Sequence, residues 1–320
     1  MSIAIKEKAP VVHEKRQFKI KPSRVLVHFL LLILVVVNIF PLYWMTSFSL
    51  KTTKEIMGQE MVLNEETGKM ERLPANHVGL PRHWQWSNYP AAMETANMGK
   101  LFLNSLIVAA FTIMLTIIAA FMATYALTRL QWKGRKLMNK FFMLGLTIPI
   151  HAALIPVYLI LKRVGLLGTT VEIIPGVLYL EHLSLIIPYA AFSLAMGILI
   201  SVGFMGDIPY DLDEAAFLDG CGVWGIFFRV IVPLMVPAIS TLGIYTFLQC
   251  WNELLFATVY ISDSAKFTLP VGIQQFFGQY TTDWGKIGAG LVIATAPTLI
   301  IYVLLSKRIQ AGFMAGAVKG

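Results

Sequence analysis

Between Asp211 and Pro237 the chain reads DLDEAAFLDGCGVWGIFFRVIVPLMVP, a polar, turn-containing interruption among hydrophobic segments. Its spacing predicts two short helices around a break. Asp211 is placed to N-cap the first, with Glu214 three residues on, as in a capping box. Gly220 and Gly222 end that helix, because glycine takes left-handed backbone angles at little cost. Trp224, Phe227 and Phe228 give the second helix an aromatic face, and Pro233 sits near a new helix start, where its missing amide matters least. A second group, Trp251-Asn252-Glu253, lies near the outer end of an apolar run. Ionisable groups in such runs are costly and mark pathways. Tyr245, Gln249 and Asn252 share one helix face by their spacing, and aromatic and amide groups suit a neutral, hydroxyl-rich solute. Two readings of Glu253 stand side by side: a pathway residue, or an interfacial carboxylate paired with a basic group or the backbone. The third group sets amides among aromatic rings: Gln274, Gln275, Phe276, Phe277, Gly278, Gln279 and Tyr280.

The rest of the composition says where these groups work. The chain has 320 residues, of which 57% are hydrophobic and 14% charged, with a mean hydropathy of +0.68. Soluble domains carry about a quarter charged residues, so the reading is an all-α integral membrane protein. The net charge of +8 does not point to nucleic acid. Its basic residues cluster beside apolar runs, as the positive-inside rule expects of cytoplasmic segments. Arg129, Lys133, Arg135, Lys136 and Lys140 stand without an acid among them. No phosphate-binding glycine loop, His-x-x-x-His pair or paired-cysteine pattern is present in the sequence, and Cys221 and Cys250 suggest neither a disulfide nor a metal site. The chain therefore reads as no enzyme, with no cofactor of its own.

Six membrane spans are expected, each near the 20 residues a bilayer crossing needs. They run at about 25–48, 101–127, 141–161, 183–205, 233–261 and 287–305, with Pro149 and Pro156 kinking the third. Residues 1–24 read as a cytoplasmic tail, 25–310 as the six-span transmembrane domain and 311–320 as a second cytoplasmic tail, so both termini share one side. An external loop spans 49–100, with 56–78 read as an insertion and 64–68 as an exposed turn. Residues 206–232 form the cytoplasmic loop. Gly285, Gly288 and Gly290 predict close helix packing. His28, His151 and His182 read as satisfied or interfacial.

Glu214-Ala215-Ala216, three residues, Gly220, nine residues, then Val230, Val232 and Pro233 resemble the EAA loop of ABC-importer permeases, EAA-x3-G-x9-I-x-L-P. Valine stands at both aliphatic positions, and Asp219 beside Gly220 resembles the sugar-importer form. The resemblance implies a coupling helix docked on a cytoplasmic ATPase, with Glu214, Ala215, Ala216, Asp219, Gly220 and Pro233 as its coupling residues. Trp251-Asn252-Glu253 is similar to a W-N-[ED] element of sugar permeases. Thr268–Trp284 looks like the loop that enters the cleft of a sugar-binding protein, although an ordinary packed loop is the competing reading. Ala311–Gly320 resembles the end of the smaller maltose-type permease subunit, in whose complex the other permease supplies the sugar contacts. The implied assembly is a second, different permease chain, two ATPase subunits that bind ATP and Mg, and an extracytoplasmic sugar-binding protein, set among lipid in a bacterial-type cytoplasmic membrane. The rival from another class is a secondary transporter driven by an ion gradient, for which Glu253 is the only plausible membrane carboxylate.

Overall fold

The computed structural model describes residues 22–64, 68–95, 97–276 and 282–317. The chain divides into two units, Met1–Trp44 and Met45–Gly320. In the first, helix α1 begins at Pro22 and runs as an apolar helix with Pro41 inside it, ending at Ser49 in the second unit.

The second unit opens with the external loop. It contains α2 (Thr53–Ile56), strands β1 (Met61–Leu63) and β2 (Met70–Arg72), and α3 (Asn88–Thr95). The strands pair antiparallel, Met61 opposite Arg72 and Leu63 opposite Met70, so the segment read as an insertion is a hairpin. A few polar side chains close this loop. Glu55, almost fully buried, accepts from Asn76 Nδ2 at 2.7 Å and from the Arg82 amide at 2.9 Å. Asn88 Nδ2 donates to the carbonyls of Ser49 and Lys51 at 2.8 and 2.9 Å. A second small antiparallel pair, β3 (Glu172–Ile174) with β4 (Leu178–Tyr179), follows later, and the chain is otherwise mostly helical, as expected. Both strand pairs lie in segments expected outside the membrane, where water can satisfy strand edges.

The apolar helices follow. α4 (Met98–Thr128) and α7 (Leu183–Met205) are long and apolar enough to cross a bilayer, as are Val25–Ser49 of α1 and Trp284–Leu305 of α14 (Trp284–Ala317). Two expected spans are not single helices. The third is split into α5 (Arg135–Leu144) and α6 (Leu154–Arg163), with a 3-10 turn, Ile150–Ala153, before α6. Pro149 takes extended backbone angles, and a proline disfavours the helical conformation of the residue before it. The segment is therefore broken around Pro149 where a kink was expected, while Pro156 sits in the first turn of α6.

The fifth expected span begins later and ends sooner. α8 (Asp211–Leu218) and α9 (Val223–Ile226) lead through a π-helical turn, Phe227–Ile231, into α10 (Val232–Leu234) and then α11 (Val236–Trp251). The axis turns by 74° between Val223–Leu234 and α11. Pro237, in the first turn of α11, cannot donate to the carbonyl four residues back, which frees the chain to bend at Met235. After Asn252–Leu254 a short helix, α12 (Leu255–Tyr260), and then α13 (Leu269–Ile273) complete the order. Among the described residues, four helices are long and apolar enough to span a membrane, or five if the bent pair is one span.

α4 packs along α7 and α11 at the centre, and α14 packs on α3, α7 and α11. The buried apolar residues form two cores. One gathers Leu101, Leu185, Trp251, Phe256 and Leu269 toward the ends that carry the expected external loops. The other gathers Phe121, Ile198, Ile226, Phe227 and Met235 against α9 and the π-helical turn. The glycines of α14 pack as expected. A Cβ on Gly288 would lie 2.8 Å from Ser49 Cα, and one on Gly285 would lie 2.5 Å from the Lys51 carbonyl.

Candidate functional site

The loop 206–232 has the two-helix form expected, with a different cap. Tyr210, not Asp211, is the N-cap residue of α8, and its side chain makes no capping bond. Asp213 and Glu214 both donate their amides to the Tyr210 carbonyl, so the helix has already begun at Asp211 and the capping box is absent. Asp211, Asp213 and Glu214 still put negative charge on the first turn, where the helix dipole favours it. The other end is a Schellman motif: the Cys221 amide bonds the Ala216 carbonyl and the Gly220 amide bonds the Phe217 carbonyl, each at 3.0 Å. Gly220 has φ +84°, as a residue at C′ needs. Gly222 is extended, φ −75°, so only the first of the two glycines takes left-handed angles.

α8 faces the body of the protein through Asp213 and Ala216, three residues apart. It exposes Glu214, Ala215, Phe217 and Leu218, the last two at 69% and 85%. Asp219 is its C-cap, and Pro233 is exposed within α10. The expected aromatic face of the second helix is divided. Phe227 turns inward onto Tyr125, 5.2 Å between ring centres, while Trp224 and Phe228 stack on each other and stay exposed.

One residue that sequence reasoning placed only among cytoplasmic cations organises this loop. Arg129, directly after α4, has a buried side chain. Its Nη1 bonds Asp213 Oδ2 at 2.9 Å and its Nη2 bonds the carbonyls of Met205 and Ile208. Its guanidinium also lies 4.0 Å from the centre of the Tyr210 ring. Tyr125, Arg129, Tyr210, Glu214, Phe217 and Val223 are among the residues around a groove of about 490 Å³ between α8 and the end of α4. The only trace in sequence is an arginine abutting an apolar run.

The residues around Glu253 are not all brought together. Tyr245, Gln249 and Glu253 line one small cavity with Tyr189 and Phe192. Asn252 is at the C-cap of α11 and bonds the Leu248 carbonyl, and it does not line that cavity. Trp251 is buried against Phe102 and Phe247 and donates to the Ala294 carbonyl at 3.0 Å. The Glu253 carboxylate accepts from the Tyr189 hydroxyl and from the amides of Phe256 and Ala257 at 2.9 and 3.2 Å, closing the first turn of α12. The cavity is about 40 Å³. That is room for a few waters, against the roughly 300 Å³ or more of a small-molecule pocket. In this conformation the chain by itself makes no solute-sized chamber at Glu253.

At the start of the candidate span Leu180–Met205, Glu181 forms a buried pair with Lys266 at 3.1 Å. Glu181 also accepts from Gly168 N and Ser262 Oγ, while Lys266 Nζ donates to the Thr169 carbonyl. His182 Nε2 lies 3.3 Å from the Lys266 carbonyl, while its Nδ1 is buried with no hydrogen-bond partner, so the histidine is only half satisfied. Asn104 Nδ2 holds the carbonyls of Ala265 and Phe267, and the Leu269 amide bonds Ser105 Oγ. These bonds anchor the start of the segment 268–284. Beyond it Gln274 is exposed and Phe276 is buried. Phe277, Gly278, Gln279 and Tyr280 lie outside the described residues, as do residues 1–21, 318–320 and, within the turn expected at 64–68, residues 65–67.

Residues 113–314 match the family described as binding-protein-dependent transport system inner membrane component. The chain belongs to that family. The match takes in α5 to α13, including the loop tied by Arg129, and most of α4 and α14. The permease is 32% identical to the diacetylchitobiose uptake system permease protein NgcG of Streptomyces coelicolor, covering 90% of this chain and 87% of that one. It is 33% identical to the sulfoquinovosyl glycerol transport system permease protein SmoH of Agrobacterium fabrum, covering 90% and 91%. In fold it is similar to a chain in the crystal structure of a bacterial ABC transporter that imports the acidic polysaccharide alginate. That alignment has a TM-score of 0.73 at 19% identity and covers 91% of this chain and 99% of that one. The permease is thus an integral protein of the inner membrane, a transport component and not an enzyme. The family and these relatives support the reading as an ABC importer permease and give no support to the ion-gradient reading.

Proposed function

We propose that this permease is one of two membrane subunits of an ATP-driven carbohydrate importer. It takes sugar from an extracytoplasmic binding protein and works with a different permease chain and two ATPase subunits that hold ATP and Mg. The chain crosses the membrane six times with both termini in the cytoplasm: α5 and α6 together make the third crossing, and α11 with α12 the fifth. The observation that carries the coupling role is α8. It is fastened on its inner face by Asp213 and Ala216 and displays Glu214, Phe217 and Leu218 outward. Exposed phenylalanine and leucine beside a carboxylate suit a groove on a partner protein. ATP closing the ATPase dimer moves α8, and the spans open the cavity outward. The full sugar chamber forms between the two permeases, consistent with the small size of the Glu253 cavity here.

The test is uptake by cells lacking this chain, with labelled diacetylchitobiose, trehalose and maltodextrins as probes. Loss of uptake of at least one, restored by the gene, is the expected result. In right-side-out vesicles loaded with ATP and supplied with the binding protein, that uptake requires ATP and survives a protonophore. Uptake that proceeds without ATP and stops with the protonophore overturns the proposal.

A further inference from the structure

We infer that Arg129 is the residue through which α8 moves the membrane helices, a positioning residue for coupling. The inference rests on the coupling role proposed for α8 and adds the route. Three elements end at one guanidinium. Arg129 is attached to the last turn of α4. It bonds the Met205 carbonyl at the end of α7 and the Ile208 carbonyl just beyond, and it forms an ion pair with Asp213 in the first turn of α8. The ring of Tyr210, the α8 N-cap, covers it at 4.0 Å, and the Tyr210 hydroxyl reaches back to the Thr128 carbonyl at 3.3 Å.

The chemistry favours arginine here. A planar guanidinium presents five donors in a fixed fork, so it can hold a carboxylate and backbone carbonyls at once, whereas an ammonium is a point charge. Its positive charge also meets two favourable partners, the negative C-terminal end of α7 and the acidic first turn of α8. The side chain is 4% exposed, so these bonds are shielded from water and transmit displacement stiffly. The opposite end of α8 is held differently. A Cβ on Gly220 would meet nothing within 4 Å, and the backbone there takes angles that only glycine takes cheaply. α8 is therefore a lever, fastened at its first turn to α4 and α7 and hinged at Gly220 toward α9 and α11. A push on its exposed face reaches α4 and α7 through Arg129 rather than only along the chain into α11.

The experiment uses the complete transporter in lipid vesicles, with the sugar that the uptake panel selects among diacetylchitobiose, trehalose and maltodextrin. It measures sugar uptake and ATP hydrolysis in the same sample, together with the ATPase retained per permease. Arg129→Gln is expected to lower sugar carried per ATP hydrolysed about tenfold, within the range of coupling effects, with normal ATPase retention. Arg129→Lys, which keeps the charge and loses the fork, recovers part of that ratio. Asp213→Asn keeps a hydrogen bond and loses the charge, and it lowers the ratio about threefold. It also serves if Arg129→Gln does not assemble. A ratio unchanged in any assembled variant of the three overturns the inference, as does uptake that falls only in step with protein abundance. A cysteine cross-link from Leu218→Cys to the ATPase separates the two levels. Its absence in an otherwise unaltered transporter defeats the coupling role of α8, while its presence with an unchanged ratio defeats only the role of Arg129.

Discussion

Replacing Glu181 by alanine should destabilise the permease by about 3 kcal/mol, the low end of what breaking a buried ion pair costs. Glu181 is fully buried and Lys266 is 5% exposed, so the mutation leaves an ammonium with little access to water. Two features decide where in the range the loss falls. Asp263 remains 3.5 Å from Lys266 Nζ, but its carboxylate is 46% exposed, so its compensation is weak. The Gly168 amide and the Ser262 hydroxyl also lose their acceptor, and each unsatisfied buried donor costs about 1–3 kcal/mol. The assay is thermal unfolding of the detergent-purified transporter, where this loss reads as a fall on the order of 5–10 °C. The companion variant is Glu181→Met with Lys266→Met. Removing both charges should recover at least half of the loss, because an apolar pair of similar volume replaces a buried ion pair at little cost. A fall under about 2 °C for Glu181→Ala, or a double variant worse than the sum of its singles, would refute the reasoning that this pair anchors the segment leading into α13.

Three further outcomes follow from the packing. Glu253→Ala should lower thermal stability by about 2 kcal/mol, by freeing the Tyr189 hydroxyl and two amides of α12 in an apolar wall; a variant as stable as the parent would show water replacing the carboxylate. Gly288→Ala puts a methyl 2.8 Å from Ser49 Cα, and overpacking of that kind costs about 1–3 kcal/mol, read as a lower melting temperature; an unchanged one means α14 shifts freely there. Gly220→Val should keep membrane insertion and reduce uptake, since φ +84° strains a β-branched residue by about 1–2 kcal/mol, while Gly220→Asn, which tolerates that angle, should retain most uptake.

Much of this protein was legible because membrane helices and tight turns obey local rules. An apolar run of bilayer length needs no partner to be recognised, and α1, α4, α7 and α14 lie where composition put them. Gly220 could be read because a left-handed turn demands a residue type, and Gly285 and Gly288 because close helix approach does. The family was legible too, from residue types at fixed spacing. What depended on the partners of a side chain was not legible. Asp211 satisfied the capping pattern, yet the helix starts one residue sooner, because the Tyr210 carbonyl already accepts helical bonds and the Tyr210 ring covers Arg129. Pro149 and Pro156 announced a kink in the third span, but whether a proline kinks or divides a helix depends on what else can bond the freed carbonyls. Trp251, Asn252 and Glu253 are consecutive, yet they face a core, their own helix and a small cavity, a division set by where α11 stops. Arg129 with Asp213 and Glu181 with Lys266 are 84 and 85 residues apart, and only the tertiary structure could join them. Composition chooses the solvent each segment prefers, whereas the pairing of buried charges is decided by which helix ends meet.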